Sequence, residues 1–313
     1  MNAIVIENLV KTYGAVKALD GLDLEIPKGA VFGFLGPNGA GKTTTLRILA
    51  GLARADSGRI TIGGDVMKGD TITPSPKVGY LPEEPAFYPW MTPIEFLSYT
   101  GKIFGLNNQK LTEKTKQLLR LVGLEEVKKR RVGGFSRGMR QRLGIAQALV
   151  NEPDILLLDE PVSALDPAGR KDILELIESL AKESTVVMSS HILADVERVC
   201  DSVAIINRGK RLVQDHKVAL MERYATNVIE LEIDPRYGRS IDDWKQVIFD
   251  LEGVHKGVVD GYTLRMTVKD IDIAQRSILA QLARDKVSIV RLEQVKPSLE
   301  DVFMKLVNQK EVA

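Results

Sequence analysis

The chain has 313 residues, with 43 basic and 42 acidic side chains and a formal charge of +1, so no global pull toward nucleic acid or an anionic membrane follows. A hydrophobic share of 44% and a charged share of 27% are those of an ordinary globular protein, long enough for one large and one smaller domain. Cys200 is the sole cysteine, which excludes an internal disulfide and fits a reducing compartment.

The N-terminus, Met1-Asn2-Ala3-Ile4-Val5-Ile6-Glu7, lacks the basic segment and apolar stretch of a secretion signal. Nowhere do ~18 apolar residues run together, so the chain is expected not to span a bilayer. Any membrane part would belong to another polypeptide. The first thirty-five residues alternate short apolar runs with turn signals. Ile4-Val5-Ile6, Val16-Lys17-Ala18-Leu19 and Leu22-Asp23-Leu24-Glu25-Ile26 read as strands, and Val31-Phe32-Gly33-Phe34-Leu35 as a buried strand. That last strand runs straight into a glycine-rich loop, and Thr43 to Leu52 then has helical spacing.

From about residue 84 to 150 the strand patterns give way to helical ones, such as Leu111–Leu124 and Arg140–Val150. The run Lys128-Lys129-Arg130-Arg131 within this stretch reads as a solvated loop, with contact to a polyanion as the alternative. Strands return at Ile155–Leu158, Thr185–Met188 and Val203–Ile206, apolar enough for a parallel sheet covered on both faces. Between the last two lies the helical pattern Ile192, Val196, Val199, Cys200, in which Cys200 reads as a small buried thiol rather than a reactive one. The expectation is an α/β core interrupted by a helical insert. A domain boundary is expected near Met221–Tyr224, giving domains over 1–221 and 222–313. Beyond it come strand Val228–Ile233, helix Ile241–Leu251, strands Val254–Val259 and Thr263–Val268, helix Ile271–Ala283, strand Val287–Leu292 and helix Leu299–Val307. That β-α-β-β-α-β order predicts a small α+β, ferredoxin-like domain.

Two segments carry chemistry. Gly36-Pro37-Asn38-Gly39-Ala40-Gly41-Lys42-Thr43, followed by Thr44, fits a phosphate-binding loop between strand and helix. Its glycines let backbone N–H groups turn inward on phosphate oxygens, and the helix N-terminus adds partial positive charge. Lys42 is placed for the β- and γ-phosphates of ATP and the Thr43 hydroxyl for Mg²⁺. Ile155-Leu156-Leu157-Leu158-Asp159-Glu160 is a buried strand ending in two acids, which packing alone does not explain. Asp159 is placed to hold Mg²⁺ and Glu160 to activate an attacking water.

With Phe135-Ser136-Arg137-Gly138-Met139-Arg140-Gln141-Arg142 shortly before the acid pair, the chain resembles the ATP-binding cassette (ABC) family. That octapeptide resembles the family's signature motif, Ser163-Ala164-Leu165-Asp166 its D-loop, and His191 its switch histidine. The resemblance covers about residues 4 to 221 and implies a P-loop NTPase cassette, with a parallel-sheet core, an antiparallel β subdomain and a helical insert. It further implies that Tyr13 stacks on adenine and that two cassettes pack head to tail. Each ATP would then lie between one subunit's Lys42 loop and the other's Ser136 and Gly138, with His191 sensing the γ-phosphate. His216 and His255 have no such support and read as structural or exposed.

The chain departs from the family pattern in places. The signature usually reads Leu-Ser-Gly-Gly-Gln, whereas Arg137 and Met139 stand here for the first glycine and the glutamine. Val78-Gly79-Tyr80-Leu81-Pro82-Glu83 resembles the Q-loop with Glu83 for glutamine, a stronger cation ligand that also adds negative charge. The aromatic segment Pro85–Pro93 reads either as core packing or, by the resemblance, as a groove for a helix of a membrane permease. The tail Pro297-Ser298-Leu299-Glu300-Asp301-Val302-Phe303 resembles that of bacterial exporter ATPases. The implied protein is an ATP-hydrolysing exporter subunit, peripheral on the cytoplasmic face through its permease, with no nucleic-acid partner and no insertion in the bilayer. A permease-free ABC ATPase acting on ribosomes or DNA, and an ATP sensor without turnover, are the alternatives.

Overall fold

The computed structural model describes residues 1–67, 74–163, 165–224, 227–234, 236, 241–295 and 298–311. Ala164 of the D-loop-like segment and Pro297 of the tail lie outside the described residues. The chain divides into two compact units, Met1–Val218 and Ala219–Ala313.

The first unit opens with a long antiparallel hairpin, β1 (Asn2–Tyr13) on β2 (Val16–Pro27). Three short strands were expected there. The second and third are instead one strand, because register shifts along the pairing and Gly21 at φ 74° carry the chain through the polar stretch without ending it. Ile4, Ile6 and Leu9 of β1, and Leu19, Leu22, Leu24 and Ile26 of β2, are all buried. β4 (Ser57–Ile62) pairs with the other edge of β1, and β5 (Asp65–Val66) pairs with β4.

The larger sheet has the order β10-β9-β3-β8-β7-β6. Its strands are β3 (Val31–Leu35), β6 (Val78–Leu81), β7 (Ile155–Asp159), β8 (Thr185–Ser190), β9 (Ser202–Asn207) and β10 (Lys210–His216). All pairings are parallel except the β9–β10 hairpin at the edge. Every residue of β3, β7 and β8 is buried, as a sheet covered on both faces requires. Phe32, Phe34, Leu157 and Ala204 share one apolar cluster with the inward residues of β1, β2 and β4 and with Leu46 and Leu49 of α1 (Lys42–Leu49). α1 stops three residues before the expected Leu52 because Gly51, at φ 69°, reverses the chain. The Leu52 N–H bonds Arg47 O and the Gly51 N–H bonds Ile48 O, a Schellman ending.

The helical insert comprises α2 (Pro93–Ile103), α3 (Asn108–Leu121) and α4 (Arg137–Ala148), with 3₁₀ turns at Glu125–Val127 and Val132–Gly134. α2 begins with a capping box, in which Thr92 Oγ1 accepts from the Glu95 N–H and Glu95 accepts from the Thr92 N–H. α5 (Pro167–Leu180) and α6 (Leu193–Val199) join β7 to β8 and β8 to β9. Cys200 is buried at the end of α6, its sulfur close against Gly33. α7 (Lys217–Tyr224) contains the division between the units.

The second unit has β11 (Val228–Ile233), α8 (Ile241–Phe249), β12 (Val254–Asp260), β13 (Thr263–Val268), α9 (Ile271–Asp285), β14 (Ile289–Val295) and α10 (Leu299–Glu311). The sheet order β12-β13-β11-β14, antiparallel throughout, is the ferredoxin-like arrangement. Ile229, Leu231, Trp244, Leu264, Met266 and Ile278 form its core. β14 starts two residues later than expected because Lys286, at φ 54°, caps α9 and the Val287 N–H bonds Leu282 O.

Candidate functional site

In a parallel sheet the loops after the strands open on one edge. The sequence puts its chemistry there: the glycine loop follows β3, Glu83 follows β6, Glu160 follows β7 and His191 follows β8. Gly36 turns the chain where a side chain has no room, since a Cβ would lie 2.5 Å from the Ile206 carbonyl oxygen. Gly41, at φ 107°, caps α1 and aims the first N–H groups of that helix into the loop. The buried Lys42 Nζ donates to Gly36 O at 2.7 Å and Pro37 O at 3.4 Å, and lies 3.6 Å from Glu160 Oε1.

Asp159 is fully buried at the end of β7. Its Oδ1 accepts from Thr43 Oγ1 at 3.2 Å and from Ser189 Oγ at 2.6 Å, whereas Oδ2 has no hydrogen-bond partner among the described residues. The Glu160 N–H donates to Ser189 Oγ at 2.9 Å, so one hydroxyl ties both acids together. The parallel register explains this, because Asp159 pairs across the sheet with Ser189. Glu160 is buried and sits at φ 47°, a conformation costly for a residue with a side chain. His191 Nδ1 lies 2.9 Å from Glu160 Oε2. A carboxylate only accepts, so Nδ1 carries the proton and Nε2 is free for another group. The Tyr80 hydroxyl is pushed well above its ordinary range by burial first and then by the negative charge of Asp159.

A cavity of about 410 Å³ is walled by Val16, Ala18, residues 37–44, Glu83, Glu160 and His191. A second, of about 670 Å³, shares Thr43 and Glu83 and is walled also by Asp159, Tyr80 and Arg47. The donor set fits Mg²⁺: the orphaned Asp159 Oδ2 and the Thr43 hydroxyl are hard oxygens, and Mg²⁺ takes few protein ligands beside phosphate and water. Among the described residues no three His, Cys, Asp or Glu cluster as a metal cage.

The remaining expected residues fall outside that cavity. Tyr13 is half-exposed beneath Lys11 Nζ, 5.1 Å from its ring centre, and pairs in the hairpin with the cavity residue Val16. Ser136 caps α4, its Oγ accepting from the Met139 N–H at 3.2 Å, and Gly138 lies beside Leu165. Neither Ser136 nor Gly138 walls the phosphate-loop cavity of its own chain. Asp166 caps α5 through the Gly169 N–H at 2.9 Å. Phe87 packs edge-on against the buried Phe96 at 4.9 Å, while Tyr88 and Trp90 stay exposed. That aromatic segment is therefore part core and part surface. His216 and His255 are exposed.

Sequence reasoning did not single out Ser189, Val16 or Ala18. Ser189 becomes visible only through the β7–β8 register, and the other two only through the hairpin that folds them against the loop. Among the described residues no helix is long and apolar enough to cross a membrane.

The ABC transporter family model matches residues 19–163, and a model for the C-terminal domain of DrrA1-3-like ATP-binding proteins matches residues 219–307. The chain is similar to the bacitracin transport ATP-binding protein BcrA of Bacillus licheniformis, at 36% identity over 96% of this chain and 95% of that one. It is also similar to the linearmycin resistance ATP-binding protein LnrL of Bacillus subtilis, at 34% identity over 96% of each chain. Among solved structures, the dimeric post-hydrolysis state of the ATP-binding cassette MJ0796 bound to ADP and Pi matches with a TM-score of 0.62 and 25% identity, over 68% of this chain and 98% of that one. Relatives of this kind along almost the whole length, with the family model over residues 19–163, lead to one conclusion: the chain belongs to the ABC transporter ATP-binding subunits and is an ATPase of that family.

Proposed function

We propose that the chain energises export through a separate membrane permease, as one half of a head-to-tail pair of cassettes. The observation that carries the catalytic part is Glu160, held between Lys42 and His191 under the phosphate loop. The N–H groups of residues 39–44 and the Lys42 ammonium would bind the β- and γ-phosphates of ATP. Lys42 would then exchange Glu160 and the loop carbonyls for phosphate oxygens, releasing Glu160 Oε1 to accept a proton from water. His191 would keep the Glu160 carboxylate aimed through its Nδ1–H and leave Nε2 for the γ-phosphate. Thr43 and Asp159, with Glu83 nearby, would hold Mg²⁺, which when bound neutralises phosphate charge.

Ser136 and Gly138 would complete the partner's site. Ser136 is exposed at the start of α4 and stands away from its own chain's cavity, which supports that reading. Tyr13 would stack on adenine at the cavity mouth. The exposed Tyr88 and Trp90 favour contact with a permease segment, and through it a peripheral place on the cytoplasmic face. Export rests on the relatives named for bacitracin transport and linearmycin resistance, and on those named for Nod factor export. The second unit would serve as an accessory or dimerisation domain.

Glu160→Gln tests the catalytic assignment. Steady-state ATP hydrolysis should fall at least a hundredfold while equilibrium titration still registers ATP binding; near-wild-type turnover would remove Glu160 from its role. Co-purification of a membrane protein from the native host tests the permease.

A further inference from the structure

Between α2, α3 and the 3₁₀ turn at Glu125–Val127 lies a cavity of about 180 Å³, which shares no residue with the phosphate-loop cavity. Ile94 and Ser98 of α2 and Thr115 and Leu119 of α3 wall it, and the charged Lys116, Glu125 and Lys128 also line it. Thr115 is 4% exposed, and its Oγ1 has no hydrogen-bond partner among the described residues. On a helix a threonine hydroxyl can return to the carbonyl four residues back. Thr112, on the same wall, does so to Asn108 O at 2.9 Å, and Thr100 does so to Phe96 O at 3.0 Å. Thr115 does not, which leaves a buried hydroxyl unmatched on the wall of a cavity. Arg120 grips Glu125 with two hydrogen bonds, at 3.1 and 3.3 Å, and this holds the Glu125 carboxyl below the usual range. Lys128 Nζ stands 4.0 Å from that carboxylate, and Lys116 has no ion-pair partner among the described residues.

We propose that this cavity binds a small free carboxylic acid in its anionic form, the apolar body lying on Ile94 and Leu119 and the carboxylate meeting Thr115, Lys116 and Lys128. The size follows from the volume: a cavity of about 150 Å³ holds benzene, so this one takes roughly six to ten non-hydrogen atoms. The sign follows from the charges. Lys116 and Lys128 present two ammonium groups, and the one carboxylate beside them is already held by Arg120. An anionic end therefore finds ammonium donors, a cation is repelled, and a neutral molecule leaves the ammoniums to water. Thr115 supplies the second recognition element. A helical threonine has two χ1 wells, so its hydroxyl can turn onto a carboxylate oxygen with no change in the backbone. That bond removes the penalty of an unmatched buried hydroxyl. The acid must be free, because an acyl chain esterified in a lipid has no charge for the two lysines to recognise. The cavity lies wholly within the helical insert, so nucleotide is not needed to form it.

Methyl-labelled isoleucine and leucine in the full-length chain report on the two apolar walls by NMR, with the signals assigned from Ile94→Val and Leu119→Met. Titration with sodium hexanoate should shift the Ile94 and Leu119 methyls saturably, and methyl hexanoate should bind at least about tenfold more weakly. The double variant Lys116→Gln, Lys128→Gln should lose at least about tenfold in affinity for hexanoate and nothing in affinity for the ester. Thr115→Val keeps the branched shape and removes only the hydroxyl. It should weaken hexanoate severalfold while raising the midpoint of urea unfolding, since an unmatched buried group is gone. Ile94 and Leu119 methyls that stay in place throughout the titration overturn the proposal. So do equal affinities for acid and ester, or wild-type hexanoate affinity in either the double lysine variant or Thr115→Val.

Discussion

Ser189→Ala isolates the one hydroxyl on which both acids depend. Ser189 Oγ donates to Asp159 Oδ1 at 2.6 Å and accepts the Glu160 N–H at 2.9 Å, with no exposure to water. The bond to a carboxylate is of the charge-assisted kind, worth about 1.5–3 kcal/mol, and the stranded N–H costs about 1–3 kcal/mol. Partial relief by an entering water brings the expected loss of stability to about 2–4 kcal/mol. The kinetic effect follows from Glu160 at φ 47°, since a strained backbone persists only while its surroundings hold it. Release of that residue should lower kcat at least tenfold, roughly 1.4 kcal/mol of barrier. Urea unfolding followed by circular dichroism reads the first number and coupled-enzyme ATPase kinetics the second. Ser190→Ala is the control, because among the described residues Ser190 Oγ hydrogen-bonds Ile192 alone. A Ser189→Ala protein with wild-type kcat, and stability within about 0.5 kcal/mol of wild type, would refute the reasoning.

Gly36→Ala should weaken ATP binding at least tenfold without unfolding the protein, because the new Cβ would meet the Ile206 carbonyl at 2.5 Å and displace the loop; isothermal titration measures it. Cys200 should resist alkylation in the native chain at pH 8 and react promptly in urea, because burial pushes its thiol up. The same shift has a signed effect on stability. The unfolded thiol ionises at about 8.5 and the folded one only above that, so stability is complete below this range and declines as pH rises through it. A Cys200→Ala protein should lose part of that alkaline decline.

Residues that act locally were legible in the sequence. The phosphate loop and the acid pair announce themselves through spacing alone, and β3, β11 and β13 fall where apolar runs and alternation put them. What was illegible depends on partners distant in the chain. The hairpin of β1 and β2 looked like three strands because its buried residues shift phase at each register change, a property of the pairing and not of either segment. Ser189 is an unremarked serine until the parallel register sets it beside Asp159. Two helix starts had a local signal that went unused: Thr92, Pro93 and Glu95 spell a capping box, and Asp166 with Pro167 spells a helix start.

The central claim is that the Lys42 loop is half of a site whose other half is Ser136 and Gly138 of a second chain. Light scattering on the Glu160→Gln protein with Mg²⁺ and ATP tests it most directly. The account predicts a monomer without nucleotide, a dimer with ATP, and a return to monomer when Ser136→Arg is added to the same protein. A chain that binds ATP yet stays monomeric, or a dimer indifferent to Ser136→Arg, would contradict it.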